Sequence, residues 1–232
     1  MDRFSTSAII VAAGKGSRMR SEIPKQFLTL GDQTVLFQTI DKFLRSKYVR
    51  EIIVVVAEEY LKSDYLQTSV PANPDKVVKI VAGGKTRQKS VENGLRAVSD
   101  NAEFVLTHDG ARPLISTKTI DRAIAECKNH NGVIIGLPAS DTLAKAEDGE
   151  ITDFVDRQKI WQLQTPQIFP KEVLEYSFKI ANLGDITYTD ESSLVRPMFD
   201  DIHVFPGEKT NIKITVPEDI FIAKAIMEHD ED

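Results

Sequence analysis

The sequence is poor in the residues on which most redox, zinc and hydrolytic chemistry depends. A single cysteine among 232 residues, Cys127, rules out an intrachain disulfide. The four histidines show no metal-ligand spacing, and the GxSxG, HExxH and CxxC motifs are missing. Disulfide scaffolds, zinc enzymes and serine-type hydrolases therefore have no support. Cys127 ends an amphipathic stretch and is predicted to be a buried, structural residue.

Long apolar runs and an excess of positive charge are also missing. No segment approaches the ~18 apolar residues of a membrane span, and the apolar start of the chain continues into glycine and basic residues rather than a cleavage site. A net charge of −6 disfavours a broad nucleic-acid surface, although a local basic site for a phosphate ligand is compatible with it. We predict a cytoplasmic protein with neither a membrane nor a nucleic-acid partner.

What the sequence does contain is a regular alternation of strand-like and helix-like segments. Five short apolar, β-branched runs predict buried strands at 7–12, 51–57, 76–82, 103–107 and 132–137. Three stretches with apolar residues at helical spacing lie between them, at 34–45, 90–97 and 116–127. This order predicts a Rossmann-like α/β fold, a mostly parallel sheet with helices on both faces. Because no flexible linker divides the chain, we predict one domain over residues 1–232.

One segment, at about 138–159, breaks this alternation. Two short runs of mixed polarity flank Asp148-Gly149, and Asp-Gly between extended runs is a strong hairpin signal. A hairpin inserted after a core strand predicts a projecting β-arm. The residues alone leave open whether the arm lies on its own domain or on another subunit.

A glycine-rich loop follows the first predicted strand. The motif AAGKGSRM at 12–19 is followed by PKQ at 24–26. In a parallel sheet, ligands bind beyond the carboxyl ends of the strands, where glycines let backbone N–H groups approach phosphate oxygens. Arg18 and Lys25 add positive charge there. Since Met19 occupies the third glycine position and no P-loop pattern occurs, the motif predicts a nucleoside triphosphate site of another kind.

A second glycine turn, GGKTRQKS at 83–90, follows the third predicted strand. It opens a helix, for which Thr86 is a suitable cap. The turn could also hold a base or ribose through its backbone and the Ser90 hydroxyl. The residues alone do not decide between the two roles.

The motif THDGARP at 107–113 ends the fourth predicted strand. Asp109 would lie at the same edge of the sheet as the glycine loop, where a carboxylate beside a triphosphate can hold Mg²⁺. Arg112 adds a second cation nearby. His108 points to the opposite face of the strand and is predicted to be structural.

The segment VDRQKIWQLQTPQ at 155–167 follows the predicted arm. Arg157 lies at the foot of the arm and is either a surface residue or a ligand-binding one. Trp161 and Leu163 are predicted to be strand residues facing a core. Thr165-Pro166 is predicted to form a turn.

Two polar motifs near the end of the chain complete the set of candidates. TDESSLV at 189–195 is typical of a helix start with Thr189 as its cap, and such a start can also bind an anion. TNIKIT at 210–215 places Lys213 in a short β-like run. A lysine there is either an edge-strand residue or a ligand-binding one.

Taken in this order, these motifs resemble those of the 2-C-methyl-D-erythritol 4-phosphate cytidylyltransferases, and they cover nearly the whole chain. The resemblance implies transfer of a cytidylyl group from CTP to that small sugar-alcohol phosphate, with Mg²⁺ or another divalent cation, in the non-mevalonate isoprenoid pathway. It also implies a homodimer whose β-arms interlock.

The resemblance also assigns roles to individual residues. It implies catalytic roles for Arg18, Lys25 and Lys213. It implies nucleotide-binding roles for Ala12, Ala13, Gly14, Gly16, Gly84, Ser90, Asp109 and Gly110, with Asp109 also holding the metal. It implies acceptor-binding roles for Arg112, Thr142, Arg157, Thr165 and Thr189, with Thr142 and Arg157 reaching the partner's site.

The acceptor has one close alternative. Polyol-phosphate cytidylyltransferases, such as those that use ribitol 5-phosphate, share most of these motifs. They more often carry a Ser-Val type pair after the His-Asp. Here the pair is Gly110-Ala111, which favours methylerythritol phosphate.

Overall fold

The computed structural model describes residues 5–14, 16–19, 21–71, 75–184 and 186–229. Its strands are β1 (Thr6–Ala12), β2 (Thr29–Leu30), β3 (Gln33–Thr34), β4 (Val49–Val56), β5 (Val77–Ala82), β6 (Phe104–Asp109), β7 (Gly132–Pro138), β8 (Leu143–Glu147), β9 (Glu150–Val155), β10 (Trp161–Pro170) and β11 (Ile202–Pro206). Its α-helices are α1 (Val35–Leu44), α2 (Asp64–Ser69), α3 (Arg87–Arg96), α4 (Thr117–Glu126), α5 (Lys171–Gly184), α6 (Glu191–Val195) and α7 (Glu218–His229). Short 3₁₀ turns span Ser17–Met19, Lys25–Phe27, Glu58–Tyr60, Cys127–Asn129 and Arg157–Lys159.

A seven-stranded sheet in the order β11-β7-β10-β6-β1-β4-β5 forms the centre of the fold. Strand β1 is parallel to β4 and β6, β4 is parallel to β5, and β7 is parallel to β11. Strand β10 runs antiparallel to both β6 and β7, so those two are parallel to each other. The carboxyl ends of β1, β4, β5, β6, β7 and β11 therefore share one edge of the sheet, and the predicted mostly parallel α/β fold is confirmed.

The two faces of the sheet are covered by different helices because side chains alternate along each strand. In β1, Ala8 and Ile10 belong to a core cluster that includes Ile40 of α1 and Ile120 of α4. Ile9 points the other way, into a cluster formed with α3, α5 and α6. A third, smaller cluster joins α7 to the 3₁₀ turn after β1. Among the described residues, no helix has the length and apolar character that crossing a bilayer requires.

The predicted core elements are present, with boundaries that lie within three residues of those predicted. The five apolar runs form β1, β4, β5, β6 and β7, and the three helical stretches form α1, α3 and α4. The predicted cap Thr86 accepts from the Lys89 N–H at the start of α3. Ser116, the first residue of the third predicted helical stretch, accepts from the Thr119 N–H at the start of α4. Cys127 is buried in the first core cluster, and burial raises the pKa of its thiol to about 12, as a structural cysteine requires.

The hairpin lies where the sequence predicted it. Strands β8 and β9 pair with each other in a separate two-stranded sheet, and both turn residues, Asp148 and Gly149, have positive φ. Nearly all hairpin side chains are exposed, including Ile151 and Phe154, whose exposed fractions are 62% and 65%. Leu143 and Val155 at the base of the hairpin are half-buried, but Ile151 and Phe154 do not pack on their own domain.

Two predictions about the strand after the hairpin are wrong. Trp161 and Leu163 do not face a core, since 38% and 42% of their surfaces are exposed. They pair only with β7, beyond the part of β10 that reaches β6 at Gln167–Pro170. Thr165-Pro166 is not a turn between elements: it lies inside β10, where the register with β7 shifts, and its peptide bond is cis.

Two further local predictions are corrected. Asp190, not Thr189, caps α6, because its carboxylate accepts from the Ser193 N–H at 2.8 Å and Ser193 Oγ reaches back to its N–H. The segment around Lys213 forms no strand. It is fixed instead by Ile214, which is buried and donates its N–H to the Ala111 carbonyl.

Candidate active site

A cleft of about 680 Å³ opens at the carboxyl edge of the sheet. Such an edge is where α/β folds bind ligands, because loops from several strands converge there. Eight of the residues singled out from the sequence line it: Ala12, Ala13, Gly14, Lys25, Gly84, Asp109, Gly110 and Lys213. The other lining residues are Val11, Gln26, Ala57, Glu58, Glu59, Gly83, Lys85, Thr86, Arg87 and Ala111.

The two glycine turns meet in this cleft. A Cβ built on Gly83 would lie 2.5 Å from the Ala13 Cβ, so only glycine lets the loops come this close. Ser90 is buried behind the second turn, where its Oγ accepts from the Gly84 N–H at 3.0 Å and donates to the Thr86 carbonyl at 2.9 Å. Ser90 thus shapes the turn, whereas a direct role in nucleotide binding stays a prediction.

Asp109, at the end of β6, is the electrostatic centre of the cleft. Its Oδ2 lies 2.8 Å from Lys213 Nζ and 3.8 Å from Arg112 Nε, and its Oδ1 lies 3.4 Å from Arg87 Nε. Burial alone would raise the pKa of this carboxyl, but the three cations, Arg87 foremost, hold it far below its ordinary value. Arg87 also pairs with Glu191, so three cations face two carboxylates, and an excess of positive charge is left at the cleft.

Arg87 and Glu191 also belong to the site, although the sequence motifs did not single them out. The Arg87 guanidinium makes a bidentate pair with the Glu191 carboxylate, at 2.7 and 3.1 Å, while its Nε faces Asp109. Thr107 Oγ1 donates to the same carboxylate at 2.6 Å. One feature of the sequence does point to Arg87. It directly follows Thr86, the cap of α3, where the helix dipole disfavours a positive charge, so an arginine there needs a carboxylate partner.

Lys25 stands beside this centre without a carboxylate partner among the described residues. Its Nζ donates to the Ile214 carbonyl at 2.8 Å. Burial, followed by the proximity of Lys213, lowers the Lys25 pKa to about 8. Gly16 has a φ of +64° and packs against the Lys25 side chain, with 3.3 Å between a built Cβ and Lys25 Cγ.

Behind Asp109, a buried hydrogen-bond chain fixes the loop that carries it. The Asp109 N–H donates to Thr165 Oγ1, which bonds His108 Nδ1, and His108 Nε2 bonds the Arg112 carbonyl. Since a carbonyl can only accept, Nε2 carries the proton and Nδ1 accepts from the threonine. Burial lowers the His108 pKa to about 4, so the ring is neutral. The structural role predicted for His108 is confirmed, and Thr165 shares it.

The remaining candidates lie outside the cleft lining. Arg112 is mostly buried and donates to the Asn211 carbonyl as well as facing Asp109. Arg18 is exposed, and its charge contributes to the lowered Lys25 pKa. On the hairpin side, Arg157 donates to the Ser140 carbonyl at 2.8 Å, and Thr142 is exposed. Thr189 is exposed too, and its hydroxyl lies 3.4 Å from Ser193 Oγ.

An α/β sheet whose carboxyl edge holds two abutting glycine turns and a cluster of cations around one carboxylate is built to bind a polyphosphate nucleotide. These features are those of a nucleotidyltransferase.

Comparison with known proteins agrees and is more specific. The family model for 2-C-methyl-D-erythritol 4-phosphate cytidylyltransferase matches residues 6–229. The chain belongs to this family. Curated proteins of that name from Caldanaerobacter subterraneus and Syntrophus aciditrophicus are 38% and 36% identical to it. Each alignment covers 97% of this chain, with 99% and 96% of the respective relative.

Solved structures show the same likeness. The 4-diphosphocytidyl-2C-methyl-D-erythritol synthase from Anaerococcus prevotii superposes with a TM-score of 0.84 at 31% identity, covering 98% of this chain and 100% of that one. The 2-C-methyl-D-erythritol 4-phosphate cytidylyltransferase from Thermus thermophilus gives a TM-score of 0.78 at 28% identity, covering 96% and 98%.

Proposed function

We propose that this protein transfers the cytidylyl group of CTP to 2-C-methyl-D-erythritol 4-phosphate, releasing pyrophosphate and forming 4-diphosphocytidyl-2-C-methyl-D-erythritol, a step of isoprenoid precursor synthesis. The observation that carries the proposal is the cation cluster around Asp109, in a cleft that two glycine turns line. It occurs in a chain that matches the family over nearly its whole length.

In the proposed reaction, an oxygen of the acceptor phosphate attacks the α-phosphorus of CTP. The bond from that phosphorus to the oxygen bridging to the β-phosphate breaks, and pyrophosphate leaves with the electron pair. Because the attacking phosphate is already an anion, no strong general base is needed, and catalysis rests on positioning and charge neutralisation. We assign this neutralisation to Arg18, Lys25 and Lys213.

The remaining residues would place the two substrates. In our proposal, the two glycine turns contact CTP through Ala12, Ala13, Gly14, Gly16, Gly84, Ser90, Asp109 and Gly110. The acceptor contacts Arg112, Thr142, Arg157, Thr165 and Thr189. Thr142 and Arg157 lie at the hairpin and would serve the site of a second subunit.

We further propose that Asp109 holds a divalent cation such as Mg²⁺. The donor chemistry fits, because Asp109 is a fully ionised carboxylate at the cleft and hard cations prefer oxygen ligands. The ammonium of Lys213 lies 2.8 Å from Oδ2, and this contact with a positive charge on the cleft side supports the proposal. A bound cation would supply further charge neutralisation on the triphosphate, which leaves Lys25 and Lys213 to act on the other phosphate oxygens.

The close packing of Gly110 supports the methylerythritol acceptor over ribitol phosphate. A Cβ built on Gly110 would come 3.0 Å from the Ala12 Cβ and 3.2 Å from the Val11 carbonyl. The Ser-Val type pair of the polyol enzymes would therefore press against β1 at this position.

We also propose a homodimer formed through the hairpin. Four apolar side chains are exposed on the hairpin and on the strand that follows it: Ile151, Phe154, Trp161 and Leu163. Burying them in an interface would stabilise the dimer by the hydrophobic effect. Sedimentation of the wild type and of Phe154→Asp tests this, with a wild-type dimer and a more dissociated variant expected. A wild type that is monomeric at working concentration would contradict the dimer.

The rest of the proposal concerns the chain as a whole. We treat residues 1–232 as one nucleotidyltransferase domain, because the described core strands of one sheet span residues 6 to 206. We place the reaction in the cytoplasm, the compartment of its nucleoside triphosphate donor, with neither nucleic acid nor membrane as a partner.

The decisive experiment measures pyrophosphate release with CTP and Mg²⁺, in parallel reactions with methylerythritol 4-phosphate and with ribitol 5-phosphate. Release only with methylerythritol 4-phosphate is expected. Release only with ribitol 5-phosphate would contradict the acceptor while keeping the donor site. Replacing CTP by UTP or GTP in the same assay checks the base.

A further inference from the structure

A cluster of metal-binding side chains lies far from the cleft. His130 follows the 3₁₀ turn after α4, Glu126 ends α4, and His203 lies on the edge strand β11. Each residue offers one ligand atom, and these atoms all lie within 4.8 Å of one another. The cluster sits where β7 and β11 begin, whereas the cleft lies where the parallel strands end, so the two are at opposite edges of the sheet.

The geometry around His130 is the strongest part of the cluster. Its Nδ1 lies 2.8 Å from Asp201 Oδ1, and its Nε2 lies 3.5 Å from Glu126 Oε1. A histidine that binds a metal through one nitrogen commonly donates its other N–H to a carboxylate, which fixes the tautomer and the ring orientation. Asp201 is in the position to do this, and it leaves Nε2 facing Glu126.

Asp201 is itself held in place. Its φ is +61°, a conformation that aspartate tolerates better than most residues. The Asn131 N–H donates to the Asp201 carbonyl at 3.2 Å, and Asn131 Nδ2 donates to the Asp200 carbonyl at 2.9 Å. The carboxylate that orients His130 therefore belongs to a turn fixed by two hydrogen bonds.

His203 supplies the second imidazole. Its ring stacks on the His130 ring with 4.6 Å between centroids and 8° between planes. In parallel rings the nitrogen lone pairs point side by side, so binding of one cation by both requires one ring to turn. A tetrahedral zinc site needs ligand atoms about 3.3 Å apart, so the ring that turns must also bring its nitrogen nearer to the other ligand atoms, which now lie within 4.8 Å of one another.

We propose that Glu126, His130 and His203 form a binding site for a divalent transition-metal cation such as Zn²⁺, with Asp201 orienting His130 and water completing the coordination. Two imidazoles and one carboxylate suit Zn²⁺, whereas Mg²⁺ prefers oxygen ligands alone. The site is thus distinct in chemistry, as well as in place, from the proposed Mg²⁺ position at Asp109. A bound ion would tie the edge strand β11 to the end of α4.

A metal-free arrangement would use the same residues differently. A protonated His130 between Glu126 and Asp201 would be a small ion-pair cluster, with His203 only stacked on it. The two arrangements differ in whether Zn²⁺ binds with a defined stoichiometry and in whether His203 is needed for it.

The test uses untagged, chelator-treated protein, because a polyhistidine tag would itself bind zinc. Zinc binding is measured by competition with a chromophoric chelator, with excess Mg²⁺ present to occupy sites made of oxygen ligands alone. Thermal unfolding with and without Zn²⁺ is a second readout. The variants are His203→Ala, His130→Ala and Asp201→Asn, and His229→Ala is the control because it removes a histidine outside the cluster.

The wild type and His229→Ala should bind one Zn²⁺ per chain and unfold at a higher temperature with zinc. His203→Ala should bind far more weakly and lose the thermal shift, and Asp201→Asn should bind on the order of 10- to 100-fold more weakly. Should His130→Ala fail to fold, His203→Ala still tests the site. The proposal is overturned if the wild type binds no stoichiometric zinc, or if His203→Ala binds it as His229→Ala does.

Discussion

Two buried carboxylates on the same sheet have opposite surroundings. Glu51, at the amino-terminal part of β4, and Asp109, at the carboxyl end of β6, are exposed by only 5% and 8%. Glu51 accepts hydrogen bonds from Ser7 Oγ and from the N–H and Oγ of Ser99, and Lys79 Nζ lies 2.5 Å away. Asp109 instead meets three cations, of which Lys213 and Arg87 also line the cleft.

The difference separates a structural use of a carboxylate, at Glu51, from the functional use that we propose for Asp109. Around Glu51, hydroxyl and amide donors satisfy the oxygens and one lysine balances the charge, so nothing more is needed there. Around Asp109, the positive charge of Arg87, Arg112 and Lys213 exceeds what Asp109 and Glu191 together balance, so the cleft attracts an anion. Burial is nearly equal in the two places, and the balance of charge is what distinguishes them.

The largest effect is expected for Lys213→Ala. We propose that Lys213 stabilises the charge that develops on the phosphates, so its removal should lower kcat roughly 100- to 1,000-fold, by analogy with the loss of an oxyanion donor. Stability should change little, because Lys213 is partly exposed. Steady-state pyrophosphate release and urea unfolding measure the two effects. Lys179→Ala, an exposed lysine of α5, is the control, and near-wild-type turnover of Lys213→Ala would contradict the assignment.

Glu51→Gln should show the reverse pattern. Loss of the charge-assisted hydrogen bonds should lower the free energy of unfolding by about 1–3 kcal/mol, with turnover per folded molecule unchanged. Burial would raise the Glu51 pKa, but the bonds from Lys79, Ser99 and Ser7 lower it to about 2.

The lowered pKa of Glu51 also determines how the stability difference between wild type and Glu51→Gln depends on pH. A carboxyl whose pKa is depressed by folding stabilises the protein above its unfolded pKa of about 4.5, and this stabilisation is lost as the pH falls towards 2. The stability difference between wild type and Glu51→Gln should therefore narrow over that range in urea unfolding. If Glu51→Gln unfolds as the wild type does but loses turnover, the structural role of Glu51, and with it the contrast with Asp109, is contradicted.

A moderate effect on activity is expected when the pH is raised through the range in which Lys25, at the cleft, loses its charge. Because the Lys25 pKa is lowered to about 8, the free enzyme loses this cation as the pH rises through that value. The value of kcat/KM for CTP should then fall about tenfold per pH unit at higher pH, since kcat/KM reports the free enzyme. In Lys25→Arg the guanidinium stays charged, so this decline should be absent even if the rate is lower overall. An identical decline in both enzymes would assign it to another group.

The smallest effect is expected from variants of two helix caps, which differ in whether the cap lies at the cleft. Thr86→Ala and Ser63→Ala each remove the side chain that caps a helix, α3 and α2 respectively, and each should cost about 1 kcal/mol of stability. Only Thr86 lies at the cleft, directly before Arg87. Thr86→Ala should therefore raise KM for CTP severalfold, while Ser63→Ala should leave it unchanged. Equal KM values for the two variants would show that Arg87 is positioned independently of the cap.

Much of the fold and part of the cleft lining could be predicted because the signals are local. A β-branched apolar run that ends in glycine predicts a strand and a turn, and the shared edge of parallel strands then brings Gly14, Gly84 and Asp109 together. Residues in the loops after these strands lie at the cleft because the strands end at the same edge of the sheet. Helix caps such as Thr86 are local in the same way.

What could not be predicted depends on contacts between distant segments. Arg87 and Glu191 are 104 positions apart and belong to different motifs, so neither motif alone shows that the two side chains pair. The core position predicted for Trp161 is wrong because the sequence does not show that β10 reaches β6 only from Gln167 onwards. Likewise, His130 and His203 show no metal spacing along the chain, and only the pairing of β11 with β7 makes them neighbours.

The reversed direction of β10 has a consequence for how the chain could be shortened or rebuilt. Residues 139–160 leave the sheet after β7 and return beside it: Pro138 pairs with Trp161, and the Ala139 N–H donates to the Ile160 carbonyl at 2.9 Å. The two ends of the hairpin are therefore already joined. Loop-closure entropy changes only slowly with length, so a short turn grafted between these ends should leave the folding of the sheet intact. The hairpin is thus a separable module, whose length can change without a change in the core.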